Sequence, residues 1–289
     1  VDVGDVVLAV DIGGTKLAAG LVDEDGRLVA SARTPTPVAF HAEALFAVVM
    51  AVVESVGGNG EVVGCGVGCG GPMLAGGEEV STLNIPSWRG FPLRSRMADA
   101  TGLPTFVDND AKALALAEGW RGAAAGAPDF IGITVSTGVG GGIVLEGRLL
   151  EGAGGNAGHI GHVVVEPDGR VCRCGGRGCL EAEASGPAIE AATGRPPADA
   201  SPEVVARTGR LVGRAVASVA NLLDLPLAVV GGSVALGFGA PFFAAAQSEV
   251  DARTVVGFAR GTRVVPSTLG AEGPLVGAGA VAWRGLGRR

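Results

Sequence analysis

Short β-branched runs separated by Gly-rich turns open the chain. Residues 6–10 (Val-Val-Leu-Ala-Val) are apolar without alternation, the pattern of a strand covered on both faces. Residues 17–23 predict a second strand, Asp25-Gly26 a turn, and residues 27–33 a third strand. Ala, Leu, Phe and Val then recur at helical spacing over 41–55. Residues 61–67 predict a strand that runs out into Cys69-Gly70-Gly71-Pro72, and 81–92 reads as irregular. A helix is expected over 93–101, closed by Gly102, then a strand over 105–108 leading into Asn109-Asp110, then a helix over 111–119. The opening pattern returns as a strand over 130–135, a turn over the small residues 136–142 and a strand over 143–150. Strand, Gly/Thr turn, strand thus occurs twice, about 125 residues apart, which predicts an internal structural repeat. Further helices are expected over 187–193, 202–221, 242–253 and 273–284, with strands over 227–230 and 262–266.

Alternating strands and helices around a repeat predict an α/β protein of two domains. The break is expected near 107–110. The first domain would span 1–109 and be rejoined by the closing helix, about 273–289; the second would span 110–272. With 289 residues, 47% hydrophobic and no Tyr, the cores must be built from Val, Leu, Ile and Ala. A net charge of −7 argues against binding nucleic acid or an anionic membrane through charge alone. The longest uncharged stretch, 225–247, is interrupted by Pro226, Gly231, Gly232, Gly237, Gly239 and Pro241, so no membrane span is expected there. Asp2 and Asp5 precede the first apolar run, which is unlike a signal peptide. The expectation is a cytoplasmic protein.

His162, Cys172, Cys174 and Cys179 form a Cys₃His set of the ligand types that Zn²⁺ prefers, and four of them complete a closed structural site. Gly175, Gly176 and Gly178 would let the chain curl around the ion. A disulfide with a spare thiol is the competing reading. Cys65 and Cys69 read as small core fillers.

Asp11-Ile-Gly13-Gly14-Thr15-Lys16 is a hairpin whose glycines could expose amides to phosphate oxygens, with a hydroxyl and a cation beside them; a plain turn would look the same. It is not a Walker A loop, since the order is Gly-Thr-Lys and a strand follows. Ser136-Thr137-Gly138-Val-Gly-Gly-Gly142 carries the same chemistry further, as a nest of five amides. With Gly231-Gly232-Ser233 at another strand end, three such turns point to a nucleotide held between two domains. Asp110 is placed to take a proton from an attacking hydroxyl, or to cap a helix.

These pieces together resemble the ROK family of sugar kinases: Asp11–Lys16, Val107-Asp-Asn-Asp-Ala111, Ser136–Gly142, Gly161-His-x-x-Val165, Cys172-x-Cys-Gly-Gly-x-Gly-Cys-Leu-Glu181 and Gly231-Gly-Ser233. The resemblance implies the actin-like ATPase fold, ribonuclease H-like, with a cleft between two domains. It implies transfer of a phosphoryl group from ATP to the 6-hydroxyl of a hexose, with Mg²⁺, a structural Zn²⁺ and a homodimer. It gives Asp110 as the base, with Asn109, His162 and Glu181 on sugar hydroxyls, and Gly71 and Asn84 completing the sugar pocket. Asp11, Gly14, Thr15, Thr137 and Gly138 would surround the phosphates and Mg²⁺, and Gly231 and Gly232 would lie near adenosine. Two departures stand out. The family's glucokinases carry Glu where this chain has His159, and Asn or Gln where it has Lys112. His159 is shared with the branch acting on N-acetylmannosamine, the expected substrate, with glucose as the alternative. His159 would contact the sugar or pack behind it. A sugar-sensing relative with a DNA-binding module ahead of the first motif is the remaining reading, and the short run before Asp11 speaks against it.

Overall fold

The computed structural model describes residues 4–37, 41–58 and 60–288. Among these residues the strands are β1 (Val6–Ile12), β2 (Lys16–Asp23), β3 (Leu28–Pro35), β4 (Val62–Cys69), β5 (Thr105–Asn109), β6 (Phe130–Val135), β7 (Val139–Leu145), β8 (Arg148–Leu149), β9 (Leu227–Gly231) and β10 (Arg263–Pro266). The helices are α1 (Ala42–Glu54), α2 (Leu93–Thr101), α3 (Asp110–Arg121), α4 (Leu180–Ala184), α5 (Gly186–Thr193), α6 (Pro202–Leu223), α7 (Ser233–Phe238), α8 (Ala240–Arg253) and α9 (Gly273–Gly285). Short 3₁₀ turns add Ala75–Gly77 and Ile160–His162 among others. No described helix is long and apolar enough to cross a membrane.

The strands make two five-stranded sheets, ordered β3-β2-β1-β4-β5 and β8-β7-β6-β9-β10. In each, the first strand pairs antiparallel with the second and parallel with the fourth. The repeat expected from the sequence is therefore a repeat of topology. Its second copy differs in one respect. Residues 139–145 are a strand that starts directly after Gly138, with Gly140, Gly141 and Gly142 paired to Thr134, Ile133 and Gly132. The turn is only 136–138, and the expected nest of five amides is smaller, because the ladder uses the rest. What was expected as one strand over 143–150 is a hairpin, turned at Glu146 (φ 52) and Gly147 (φ 71).

The chain divides into two compact units. The first gathers Val1–Arg121, Glu151–Ala157 and Ala271–Arg289; the second gathers Gly122–Leu150 and Gly158–Gly270. The helix α3 lies in the first unit, packed with α9, whereas the sequence reading began a new domain at 110. The closing helix expected over 273–284 is α9, Gly273–Gly285; the domain segment was carried on to about 289, and Arg289 lies outside the described residues.

Within the first unit, β1 is buried along its whole length. One face is covered by α1 and α2, through Leu45, Phe46, Val49, Leu93 and Met97; the other by α9, through Leu275, Ala278, Ala282 and Trp283. The edge strand β3 alternates between half-buried and exposed residues, as one-sided packing requires. Trp283 donates its Nε1–H to Asp23 O at 3.0 Å, fixing α9 on the sheet. In the second unit the 22-residue α6 packs with α8 over Ile131, Ile133, Ala228 and Val230.

The α9 contact depends on Gly66. A Cβ there would lie 1.9 Å from Ala278 O and 2.8 Å from Ala282 N. Gly66→Ala is expected to lower stability by about 1–3 kcal/mol or more, since backbone has to move to admit the methyl. Gly57, with nothing within 4 Å of its Cβ position, is the control: Gly57→Ala should leave the denaturation midpoint unchanged or slightly raised. Equal urea midpoints for the two variants would contradict this packing.

Candidate functional site

In the first unit the predicted residues collect where β1, β4 and β5 end. The three run parallel and level: Ile12 pairs with Cys69, and Cys69 with Asn109. Gly13, Gly14 and Thr15 bridge β1 to β2, closed by Gly13 N–H on Lys16 O (3.0 Å). Thr36, which the motif reading passed over, pins this turn by donating Oγ1 to Gly13 O (2.7 Å) and its N–H to Thr15 O (3.0 Å). Asn84 lies against Gly14, its Cβ 3.0 Å from where a side chain there would begin. Gly71 O accepts the N–H of Leu83, which holds Gly71 beside the Asn84 segment.

Asp11 and Asp110 are close enough to repel one another. Asp11 is buried, and burial first, then the charge of Asp110, pushes its carboxyl up to about 7 against the pull of Lys16. The Cys69 thiol, buried beside both, is pushed well up for the same reasons in the same order. Asp110 opens α3 and its Oδ1 accepts from Ala111 N (2.8 Å), while Asn109 caps the helix, its Oδ1 accepting from Ala111 N (3.0 Å) and Lys112 N (3.4 Å). Asp110 is exposed, with its carboxylate on the first turn of the helix, where the helix dipole favours negative charge.

Lys112, the departure from the family pattern next to Asp110, is buried among acceptors. Its side chain is 1% exposed, and Nζ meets Asp108 Oδ1 (3.0 Å), Gly155 O (3.1 Å) and Glu151. Glu151 pairs in turn with Arg284 of α9 (2.8 Å). Burial acts to raise the Glu151 carboxyl, but Lys112 and Arg284 together hold it below its ordinary range. Asn156 anchors the other end of this segment, accepting from Met73 N (3.3 Å) and donating to Met73 O (3.0 Å). A buried cation needs such partners, and they explain why 151–157 belongs to the first unit.

In the second unit, 136–138 closes through Ser136 N–H on Gly138 O (2.9 Å), leaving Thr137 and Gly138 half-buried at the end of β6. The end of β9 lies alongside, since Thr134 pairs with Gly231. Gly232 (φ 93) crosses Val135 so closely that a Cβ would lie 2.3 Å from Val135 O. Ser136 and Ser233 share a hydrogen bond at 2.8 Å. The 3₁₀ turn carrying His162 crosses β7 in the same manner: a Cβ at Gly161 would lie 2.0 Å from Val139 O. The rings of His159 and His162 lie 6.0 Å apart and 15° from parallel. Glu181, at the start of α4, accepts Val139 N–H through Oε2 at 2.9 Å.

His162, Cys172, Cys174 and Cys179 come together, all four ligand atoms within 4.8 Å of one another. Cys174 Sγ is 3.8 Å from Cys179 Sγ, and Cys172 Sγ is 3.8 Å from His162 Nδ1. A tetrahedron of thiolates about Zn²⁺ with bonds near 2.3 Å has edges of about 3.8 Å, so the set fits that ion. No cysteine of the described residues is in a disulfide. Of the three glycines, Gly175 (φ 90) and Gly178 (φ 70) need the left-handed region. Gly176 does not; its amide instead donates to Cys174 Sγ (3.4 Å). That bond draws the Cys174 thiol down, while burial pushes Cys179 up to about 12.

A sequence profile described as the ROK family matches residues 7–284. The chain is 39% identical over 250 residues to the N-acetylmannosamine kinase of Citrobacter koseri, covering 80% of this chain and 84% of that one. It is similar to the solved structure of a ROK family glucokinase from Streptomyces griseus in complex with glucose and AMPPNP, with TM-score 0.86 and 32% identity over 96% of this chain and 99% of that one. A ROK hexokinase from Thermus thermophilus superposes with TM-score 0.79 and 32% identity, covering 98% and 100% of the two chains. The fold is the actin-like ATPase fold that the motifs implied.

The Asp11 carboxyl makes stability depend on pH. Its value in the folded chain, about 7, lies above the ordinary 3.8, so the folded state keeps a proton that the unfolded state releases between those values. Stability is therefore lost as pH rises through that window and stays lost above it. Without added divalent cation, Asp11→Asn is expected to be more stable than the parent at pH 8, on the order of 2–4 kcal/mol, with the gap narrowing by more than half at pH 5. A gap between urea midpoints that is the same at both pH values would refute the assignment.

Proposed function

The chain belongs to the ROK family, and from that premise we propose that it transfers a phosphoryl group from ATP to the 6-hydroxyl of N-acetylmannosamine, with Asp110 as general base. The observation that carries the reading is the division of labour at the end of β5. Asn109 caps the helix as far as Lys112 N–H, while the exposed Asp110 accepts Ala111 N–H on one carboxylate oxygen and lies close to the buried Asp11. A carboxylate so placed can take the hydroxyl proton as the oxygen attacks phosphorus.

The remaining roles follow the chemistry of each side chain. Gly13, Gly14, Thr15 and Lys16, with Thr137 and Gly138, would donate amides, hydroxyls and charge to phosphate oxygens. Gly231 and Gly232, lacking side chains, would admit adenosine. Asp11 would hold Mg²⁺, a fit supported by burial and the charge of Asp110, which disfavour its bare carboxylate more than Lys16 relieves it. When bound, that ion offsets charge on the phosphates. Zn²⁺ would be held by His162, Cys172, Cys174 and Cys179, ordering the loop. Asn109 would turn its amide donors to the sugar, its oxygen being engaged in the cap. Gly71, Asn84, His162 and Glu181 would complete the sugar contacts.

His159 sets the choice of sugar in this reading. A glutamate offers only acceptors to a ligand, whereas a neutral imidazole offers one donor and one acceptor. An acetamido carbonyl needs a donor. The 39% identity to an N-acetylmannosamine kinase supports this substrate. A glucokinase is the second reading, favoured by the likeness to the Streptomyces griseus enzyme.

Two measurements test the proposal. Asp110→Asn should keep its thermal midpoint and lose about 10²–10⁴ in kcat; retention of more than about half of kcat would remove Asp110 as the base. His159→Glu should lower kcat/KM for N-acetylmannosamine and raise it for glucose, because a polar group built for one ligand discriminates against analogues that leave it unpaired. An unchanged ratio of the two specificity constants would remove His159 from the argument, and a parent that already prefers glucose would make the second reading the better one.

A further inference from the structure

Glu181 does more than the sugar contact proposed above. Its Oε2 accepts Val139 N–H at 2.9 Å, and Val139 is the first residue after the 136–138 turn. The other side of that turn is tied to the same helical segment, since Gly186 N–H donates to Ser136 O at 2.8 Å. Ser136 and Val139 are thus both fastened to the 180–186 stretch that begins directly after Cys179. The Val139 carbonyl is enclosed as well, by the close crossing of Gly161. Within the turn Ser136 N–H donates to Gly138 O, and Val135 pairs with Val139 where the strands enter and leave it. Left alone, two half-buried residues between two strand ends would sample many conformations, and each would aim the Thr137 and Gly138 amides differently.

We propose that Glu181 is a positioning residue for the 136–138 turn, so that one carboxylate sets the geometry of the phosphate-binding turn with Oε2 while Oε1 is directed to the sugar. This rests on the reading of 136–138 as phosphate-binding and of Glu181 as a sugar ligand. Its consequence is that nucleotide affinity depends on Glu181 even when no sugar is present. A residue serving the sugar alone would have no such effect.

The experiment uses the full chain with Glu181→Ala and Glu181→Gln, each checked for folding by its thermal midpoint. Gln keeps an acceptor for Val139 N–H, and Ala does not. Three quantities are read: amide hydrogen exchange at Val139, affinity for a non-hydrolysable ATP analogue without sugar, and affinity for N-acetylmannosamine without nucleotide. Losing a hydrogen bond to a charged acceptor should speed exchange at Val139 on the order of tenfold in the Ala variant, relative to the ladder amides of β6. The ATP analogue should bind roughly five- to tenfold more weakly to it. The Gln variant should stay within about twofold of the parent in both. Exchange at Val139 as slow in the Ala variant as in the parent overturns the proposal. So does faster exchange with unchanged affinity for the analogue, which would separate the turn from nucleotide binding. If both change as expected while sugar affinity does not, the sugar role of Glu181 fails and the positioning role stands. Should the Ala variant not fold, Glu181→Thr, too short to reach the amide, takes its place with the same outcomes.

Discussion

Level parallel pairing is the constraint on which both halves of the molecule depend. In the first unit β1, β4 and β5 pair so that Ile12, Cys69 and Asn109 end side by side. In the second, β6, β9 and β10 run parallel, and Thr134 ends opposite Gly231. A parallel ladder carries its chain connections away from this edge and back, so the edge is left to turns and helix starts. Asp11, Asn109 and Asp110 are therefore neighbours although most of a hundred residues separate the first from the others. A slip of one residue in β5 would turn Asn109 and Asp110 to the opposite faces and dismantle the capping arrangement along with the acid pair.

The edge is crowded, and the crowding is handled by removing side chains and pairing charges. Where segments cross backbone to backbone, at Gly161 over Val139 and Gly232 over Val135, no methyl would fit. Where a cation is buried, its acceptors come from three directions, as Asp108, Glu151 and Gly155 do around Lys112. Removing any one of those acids would leave Lys112 short of charge in a place water does not reach, and such an uncompensated charge is far more damaging than a lost surface pair. The Lys112 cluster also bonds to the strand end that bears Asp110, because Asp108 Oδ1 accepts Asn109 N–H as well.

Much of this was legible in the sequence, for local reasons. Apolar β-branched runs marked the strands, Gly102 marked the end of α2, and the Cys₃His set declared itself by ligand type. What stayed hidden was set by distant partners. The glycines 140–142 have neither strand propensity nor a hydrophobic period, and only pairing with β6 makes them a strand. Asp110 and Asn109 are both good caps by composition; both accept Ala111 N–H, and Asn109, ending β5, reaches Lys112 N–H as well. Lys112 looked like a departure from a pattern because its partners Glu151 and Gly155 lie in another segment. The bond from Val139 to Glu181 joins positions too far apart for any spacing rule to connect.

The Cys/His loop shows why such a cluster is needed where it stands. Val164 is 55% exposed and Val171 is 66% exposed, so the apolar anchoring of this part of the chain falls mainly to Val165, buried in the core, with Val163 packed against that core. Two isolated bridges, Val164 with Cys179 and Val171 with Arg177, are the only sheet pairing recorded for it among the described residues. Against so little cohesion stands the entropy of ordering every residue between His162 and Cys179. Four ligand atoms gathered within 4.8 Å can supply the missing free energy if they close around an ion, and the thiols must give up their protons to do so. Cys179 leads directly into Leu180, which is fully buried and donates its N–H to Val163 O at 2.9 Å, and then into Glu181. Whatever fixes the sulfur of Cys179 thus fixes the carboxylate two residues on. The order of a loop with little core of its own is in this way passed to a turn in the sheet through three consecutive residues.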